Sequence, residues 1–302
     1  VLAGNPNVGK SVFFNALTGL YVDVSNFPGT TVEITQGRWG DDLVVDTPGI
    51  YGVGSFNDEE RVARDIILDA DLVVNVVDAV HLERDLFLTI QLIDMDIPLV
   101  VALNMMDEAE SQGLKVDPRK LEETLGVPVV ATAAVKGQGM AELKAAIPRA
   151  RKGRRDPVLR ARLDSWYGPD ASPRHAVLAA EGDARAASLA GLEPLDAREE
   201  LYVGRRQRVN DLVSAAVTDT RGGGGFAEAL GHWMIRPLTG IPILAGVLAV
   251  LYFLIGDLIA QRVVGFTEDT VMGGIYQPFV RGLVESVVPP DSVIATFLVG
   301  EF

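Results

Sequence analysis

Four short stretches carry residues whose types and spacing suit the handling of a phosphorylated ligand. The first, Gly4-Asn5-Pro6-Asn7-Val8-Gly9-Lys10-Ser11, has the form G-x-x-x-x-G-K-S. Its glycines let successive backbone N–H groups converge on phosphate oxygens, where a Cβ would clash. Lys10 supplies a point charge for the outer phosphates, and the Ser11 hydroxyl is a Mg2+ ligand. The second, Asp46-Thr47-Pro48-Gly49, follows about 40 residues later. Asp46 is placed to hold a Mg2+-bound water, and the Gly49 N–H can meet a terminal phosphate. In the third, Asn104-Met105-Met106-Asp107, the Asp107 carboxylate can accept two hydrogen bonds from guanine N1–H and the amino group, which adenine cannot offer. A carboxylate left unpaired by the wrong base is the basis of discrimination. The fourth, Ser25-Asn26-Phe27-Pro28-Gly29-Thr30-Thr31-Val32-Glu33, can fold over the phosphates, with one threonine hydroxyl completing the Mg2+ shell. Thr31 is the first choice and Thr30 the second. Pro, Gly and Asn make this a mobile segment that nucleotide contacts would order.

These stretches need elements to hold them. Apolar Val1-Leu2-Ala3 reads as the tail of a strand, and Ser11 to Leu17 has helical spacing at Val12, Phe13, Ala16 and Leu17. The helix N-terminus then points its positive dipole end at the phosphates. Val32 to Trp39 and Leu43 to Asp46 read as a hairpin about Gly40-Asp41-Asp42. Leu72 to Asp78, Ile97 to Leu103 and Val127 to Thr132 are short buried-strand runs set between helical patterns. The alternation predicts an α/β domain over residues 1–150, a mostly parallel sheet with helices on both faces. In such sheets ligands bind at the carboxyl ends of strands, where these motifs fall. Residues 151–235 read as a second, all-α unit. Arg151-Lys152-Gly153-Arg154-Arg155 and Tyr167-Gly168-Pro169-Asp170 mark loops, and Val209, Leu212, Val213, Ala216 and Val217 form one packing stripe. Gly222 to Gly225 reads as a flexible joint.

The third region, 236–302, differs in composition. Pro237 to Gly256 contains no charged residue, and about 20 such residues cross a ~30 Å hydrocarbon core. Arg205, Arg206, Arg208, Arg221 and Arg236 precede the run, while Arg262 and Arg281 follow it. That bias puts its N-terminal side in the cytoplasm. Thr267 to Val288 lacks a full span and suits an extracytoplasmic or interfacial segment. Across the 302 residues the net charge is -14, which argues against a nucleic-acid partner and against docking on anionic lipid. With 0 cysteines, disulfides and thiolate metal sites are excluded within this chain. Asp257, Glu268, Asp269, Glu285 and Glu301 are oxygen ligands in principle, and His232 suits an interface beside Trp233. No iron site is assigned. The chain begins inside a strand and stops in an apolar run at Gly300-Glu301-Phe302, so we expect it to be a piece of a longer protein.

Together G-N-P-N-x-G-K-S, N-F-P-G-T-T-V-E, D-T-P-G-I-Y and N-M-M-D resemble ferrous-iron transport protein B, the bacterial and archaeal Feo-type transporter. Glu199 to Val217 and the run through His232-Trp233, Arg236-Pro237-Leu238 and Gly240-Ile241-Pro242-Ile243 are similar to that family's helical spacer and first membrane entry. The resemblance covers nearly all of the chain and is strongest over residues 4–107. It implies a cytoplasmic GTPase domain and helical domain ahead of a polytopic inner (plasma) membrane region that carries Fe2+. It further implies a helical domain that slows GDP release, contact with small cytosolic Feo accessory proteins, and a homo-oligomer. Asn7 resembles the asparagine with which K+-activated members hold the ion.

Two departures bear on the chemistry. Met105 stands where many GTPases have lysine, as the family itself often shows. The final nucleotide loop is Ala133-Ala134-Val135, so its base contact must come from backbone N–H groups. The nucleotide site expected is therefore Gly4, Asn5, Asn7, Gly9, Lys10, Ser11, Val12, Thr30, Thr31, Asp46, Gly49, Asn104, Met105, Asp107, Ala133 and Ala134. Lys10, Asn7, Thr31 and Gly49 are the catalytic candidates. Ser11, Thr31 and Asp46 would hold Mg2+, and Asn7 would hold K+. A glutamine often follows the D-x-x-G glycine to position water; Ile50 cannot, so slow, Mg2+-dependent and K+-stimulated GTP hydrolysis is expected. Nucleotide state would reach the membrane through the 20–31 and 49–60 loops and then the helical unit. A soluble regulatory GTPase of the RNA-modification or ribosome-assembly kind is the rival reading, opposed by the acidic charge and the 237–256 run. Asn104 and Asp107 oppose a P-loop ATPase or kinase.

Overall fold

The computed structural model describes residues 1–19, 22–28, 30–54, 57–220, 226–256 and 263–287. Gly29, Arg221, the Gly222–Gly225 joint, Asp257, Arg262 and the Gly300-Glu301-Phe302 end lie outside the described residues, as do the side chains of His232 and Glu285. The chain divides into two compact units, Val1–Arg221 and Gly222–Phe302.

In the first unit the apolar runs form the middle of a sheet. Every residue of β1 (Leu2–Gly4), β5 (Val73–Asp78) and β6 (Leu99–Asn104) is buried, as befits parallel strands covered on both faces. With β2 (Val22–Asn26), β3 (Glu33–Trp39), β4 (Asp42–Asp46) and β8 (Val129–Ala131), the order is β2-β3-β4-β1-β5-β6-β8. β3 runs antiparallel to both its neighbours, and the remaining pairs are parallel. The β3–β4 hairpin is the one expected. β2 is a correction, because Ser25 pairs with Ile34 and Asn26 with Glu33. The N-terminal part of the expected covering loop is thus an edge strand, and the Val22-Asp23-Val24 alternation was too short a signal to read.

The pleat sends alternate side chains to opposite faces. Val74 and Val76 join Phe13, Phe14 and Leu17 of α1 (Lys10–Thr18) in one cluster. Val73 and Val77 join Ile67 of α2 (Asp58–Leu68) and Leu86 of α3 (Leu82–Asp94) in the other. Between β6 and β8 lie α4 (Met106–Ser111), β7 (Leu114–Val116) and α5 (Pro118–Leu125). α5 starts where Asp117 accepts from Arg119 N at 3.0 Å and Lys120 N at 3.2 Å, with Pro118 at the first position. After β8, α6 (Met140–Ala146) closes the sheet domain.

The all-α stretch folds as α7 (Pro157–Tyr167), α8 (Pro173–Ala180), α9 (Ala184–Ala190) and α10 (Arg198–Ala216). It builds no core apart from the sheet: Leu159, Leu163, Val177, Leu201, Val209 and Leu212 extend the α2–α3 cluster. In the expected stripe, Val209, Leu212 and Ala216 are buried, and Val213 and Val217 pack beside them. One connection was not foreseen. β9 (Val217–Asp219) pairs antiparallel with β7, so the exit from α10 is stitched to the segment after α4.

In the second unit, α11 (Phe226–Ile235) precedes α12 (Pro237–Phe253). The apolar run Pro237–Gly256 is helical over 20 residues with mean hydropathy 2.4, and none of it is buried. A π-type helical stretch, Phe266–Tyr276, and α13 (Gln277–Glu285) follow.

Candidate functional site

The phosphate loop joins β1 to α1 at the carboxyl edge of the sheet. At Gly4 a Cβ would lie 2.5 Å from the Val76 carbonyl oxygen, so only glycine fits. Asn7 at φ 65° and Gly9 at φ 93° occupy the left-handed region, which asparagine tolerates and glycine takes freely. Asn7 is exposed on the loop. Lys10 is buried, and its Nζ donates to the carbonyls of Gly4 and Asn5, both at 3.2 Å. Burial pushes its ammonium below the ordinary value, opposed by the carboxylates of Asp46 and Asp85. The Val12 N–H is already given to Gly9 O at 3.0 Å.

Asp46 ends β4 beside this lysine. Burial pushes its carboxyl up to about 6, against the pull of Lys10 and of a hydrogen bond from Ser11. Asp46 Oδ1 is buried without a hydrogen-bond partner. An orphaned carboxylate oxygen beside a serine hydroxyl fits a hydrated Mg2+, which would satisfy it and favour the ionised form. Thr31 is exposed and lines the same cleft as Asp46, Thr47 and Glu59. The Thr30 hydroxyl instead donates to Phe27 O at 3.0 Å and accepts from Val32 N at 3.3 Å, closing a turn. Gly49 abuts the phosphate loop, where a Cβ would lie 2.8 Å from Pro6 Cα, and Ile50 N donates to Gly4 O at 3.2 Å.

Asn104 ties the loops together. Its Nδ2 donates to Val8 O at 2.9 Å, while its Oδ1 accepts from Ala134 N at 3.0 Å and from the Thr132 hydroxyl at 3.3 Å. Met105 takes φ 59°, and Asp107 sits in the first turn of α4. Of the final loop's amides, Ala134 N serves Asn104 and Ala133 N donates to Gln138 O at 3.2 Å. The two N–H groups expected to face the base are thus engaged within the protein.

Three residues of this region escaped the sequence reading. Lys136 Nζ stands 2.7 Å from Asp107 Oδ2 and holds that carboxyl below the usual range. Asp85 of α3 is buried and accepts from Asn5 Nδ2 at 2.6 Å, Asp78 N at 2.9 Å and Arg84 Nε at 2.8 Å. The Asn5 side chain therefore turns toward α3, leaving its backbone to the phosphate loop. Gln91 of α3 grips the backbone of Val53. No local pattern marks these three, because each meets its partner only through the fold.

A glycine-rich phosphate loop with a buried lysine, a carboxylate at the end of β4 and an asparagine bracing the last loop define a P-loop domain of the GTPase type. The family model for ferrous iron transport protein B matches residues 1–147. Over 158 residues, 49% of this chain, the sequence is 44% identical to the Fe(2+) transporter FeoB of Salmonella typhimurium and covers 20% of that protein. The Fe(2+) transporter FeoB of Escherichia coli K12 is 43% identical over the same length. The fold matches the cytosolic domain of L. pneumophila FeoB with TM-score 0.64 and 32% identity, covering 72% of this chain and 98% of that one. A GDP-bound S. thermophilus mutant NFeoB matches at TM-score 0.64 and 33% identity, covering the same shares. The chain belongs to the ferrous iron transport protein B family. It spans about one fifth of the length of the curated relatives it matches.

Proposed function

We propose that the chain is the GTP-binding and GTP-hydrolysing part of a membrane Fe2+ uptake protein, its nucleotide state gating or driving transport. One observation carries the reading: Asn104 braces both the phosphate loop and the Ala133-Ala134 loop, next to Asp107. That geometry fixes phosphate and base recognition relative to each other. Phosphate oxygens take Lys10 from the Gly4 and Asn5 carbonyls. Ser11, Thr31 and Asp46 hold Mg2+, which when bound neutralises phosphate charge. Gly49 N–H meets the terminal phosphate, and Asp107 reads guanine after giving up part of its contact with Lys136. Asn7, exposed on the phosphate loop, would hold K+, which would supply positive charge as an arginine finger does. Hydrolysis is slow, since Ile50 cannot orient water.

In this reading residues 1–150 are the nucleotide domain, 151–235 the helical domain and 236–302 the entry into a multi-pass inner membrane region. The relatives' names support the Fe2+ cargo, and solved relatives bound to GDP or GMPPNP support the nucleotide. Accessory Feo proteins and a homo-oligomer belong to the same proposal. The experiment is Fe2+ uptake by the full-length protein carrying Lys10→Ala, which should lose both nucleotide binding and uptake. Uptake at the wild-type rate would contradict the role of nucleotide.

A further inference from the structure

The segment after Asp46 is fixed at two points beyond the phosphates. The first is Ile50, whose N–H meets Gly4. The second is Val53, which is buried and gripped on both sides of its backbone by one side chain. Val53 N donates to Gln91 Oε1 at 2.7 Å, and Gln91 Nε2 donates to Val53 O at 2.9 Å. Gln91 is itself buried, and its Nε2 also reaches Glu181 Oε2 at 3.0 Å. The other Glu181 oxygen accepts from Arg205 Nη2 at 2.7 Å. A second grip lies on α2, where Arg64 Nη1 meets Asp183 Oδ2 at 2.7 Å with both side chains 3% exposed. Glu181 and Asp183 flank Gly182, whose φ of 87° only glycine adopts without strain. One three-residue turn between α8 and α9 thus reaches both the segment after Asp46 and the helix that follows it. Buried ion pairs add little net stability for their desolvation, so their convergence from one turn reads as positioning.

We propose that the Glu181-Gly182-Asp183 turn is a positioning clasp for hydrolysis, fixing Val53 through Gln91 and α2 through Arg64 so that Gly49 is held where a terminal phosphate must meet it. The proposal rests on the guanine-nucleotide reading above. Preorganised donors help most where charge develops in the reaction. GDP lacks the γ-phosphate that Gly49 would meet, so the clasp acts on hydrolysis and leaves GDP affinity alone.

Gln91→Glu tests it in the full chain in detergent. An ionised carboxylate at position 91 accepts from Val53 N but has no proton for Val53 O or Glu181, whereas the protonated acid can donate again. The charged groups round position 91 are Glu181, Arg205 and Asp94, with Glu60, Arg84, Arg198 and Arg206 on the adjoining cavity wall. Burial and the like charge of Glu181 act to raise the carboxyl pKa at position 91, against the pull of Arg205. Single-turnover GTP hydrolysis should fall about tenfold at alkaline pH and climb back as pH falls through that pKa, with GDP affinity within about twofold of wild type. Wild type should lack this climb. Asp183→Asn keeps an acceptor for Arg185 N and Ala186 N but removes the charge facing Arg64. It should slow hydrolysis, again at unchanged GDP affinity. Wild-type hydrolysis by both variants at every pH overturns the proposal, as does GDP affinity falling in step with rate. A wild-type chain that binds no GDP overturns the nucleotide reading and the clasp together.

Discussion

At the residue scale, two carboxylates are set to opposite tasks by their surroundings. Asp107 is ion-paired to Lys136 at the surface and stays ionised, ready to accept hydrogen bonds. Asp107→Asn should weaken GDP binding and favour xanthine nucleotides, whose 2-oxo group accepts from an amide; competition binding with the two nucleotides checks this. Asp46 is buried, and its folded pKa of about 6 lies above its ordinary value of 3.8. A raised carboxyl contributes stability below about pH 4 that is lost as pH rises through about 6. Melting temperatures without nucleotide should therefore show wild type losing ground to Asp46→Asn between about pH 4 and 6, and no further change above. Addition of Mg2+ and GDP should reverse the order. Contiguous residues such as Gly4 to Ser11 were legible because the chemistry is written in local spacing. Lys136, Asp85 and Gln91 were not, since pairs such as Asn5 with Asp85 form only across the folded sheet.

At the element scale, the parallel strands were readable because burial on both faces demands continuous apolar runs, as in Val73–Asp78 and Leu99–Asn104. The edge strand Val22–Asn26 was hidden because it is short, and the β7–β9 ribbon because its two short strands lie about 100 residues apart in the chain. The ribbon ties the exit of α10, the covalent route to the second unit, to the segment just after the helix bearing Asp107. The left-handed Asn7 leaves its side chain exposed on the phosphate loop, where a monovalent cation can meet it. Turnover in KCl should clearly exceed that in NaCl, and Asn7→Ala should erase the difference while sparing GDP binding. Equal rates in the two salts for wild type would remove K+ from the account.

At the scale of the whole molecule, the helical segment shares the α2–α3 cluster. A chain cut at residue 150 uncovers α3 where Phe87 packs on Tyr202 and Asp94 pairs with Arg205 and Arg208. It should melt well below residues 1–221 or aggregate, as thermal scans of the two would show. No described residue of the helix Pro237–Gly256 is buried, and a bilayer is the solvent that suits so apolar a run. Fused behind a reporter, it should insert with its N-terminus cytoplasmic, and recovery in the aqueous phase after detergent partition would count against this.

The most direct test of the central claim is calorimetric titration of the full chain with GDP and with ADP, each with Mg2+, in wild type and Asp107→Ala. The account predicts tight GDP binding, ADP weaker by at least about a hundredfold, and a variant that loses most of the difference. Equal affinity of wild type for GDP and ADP would contradict it.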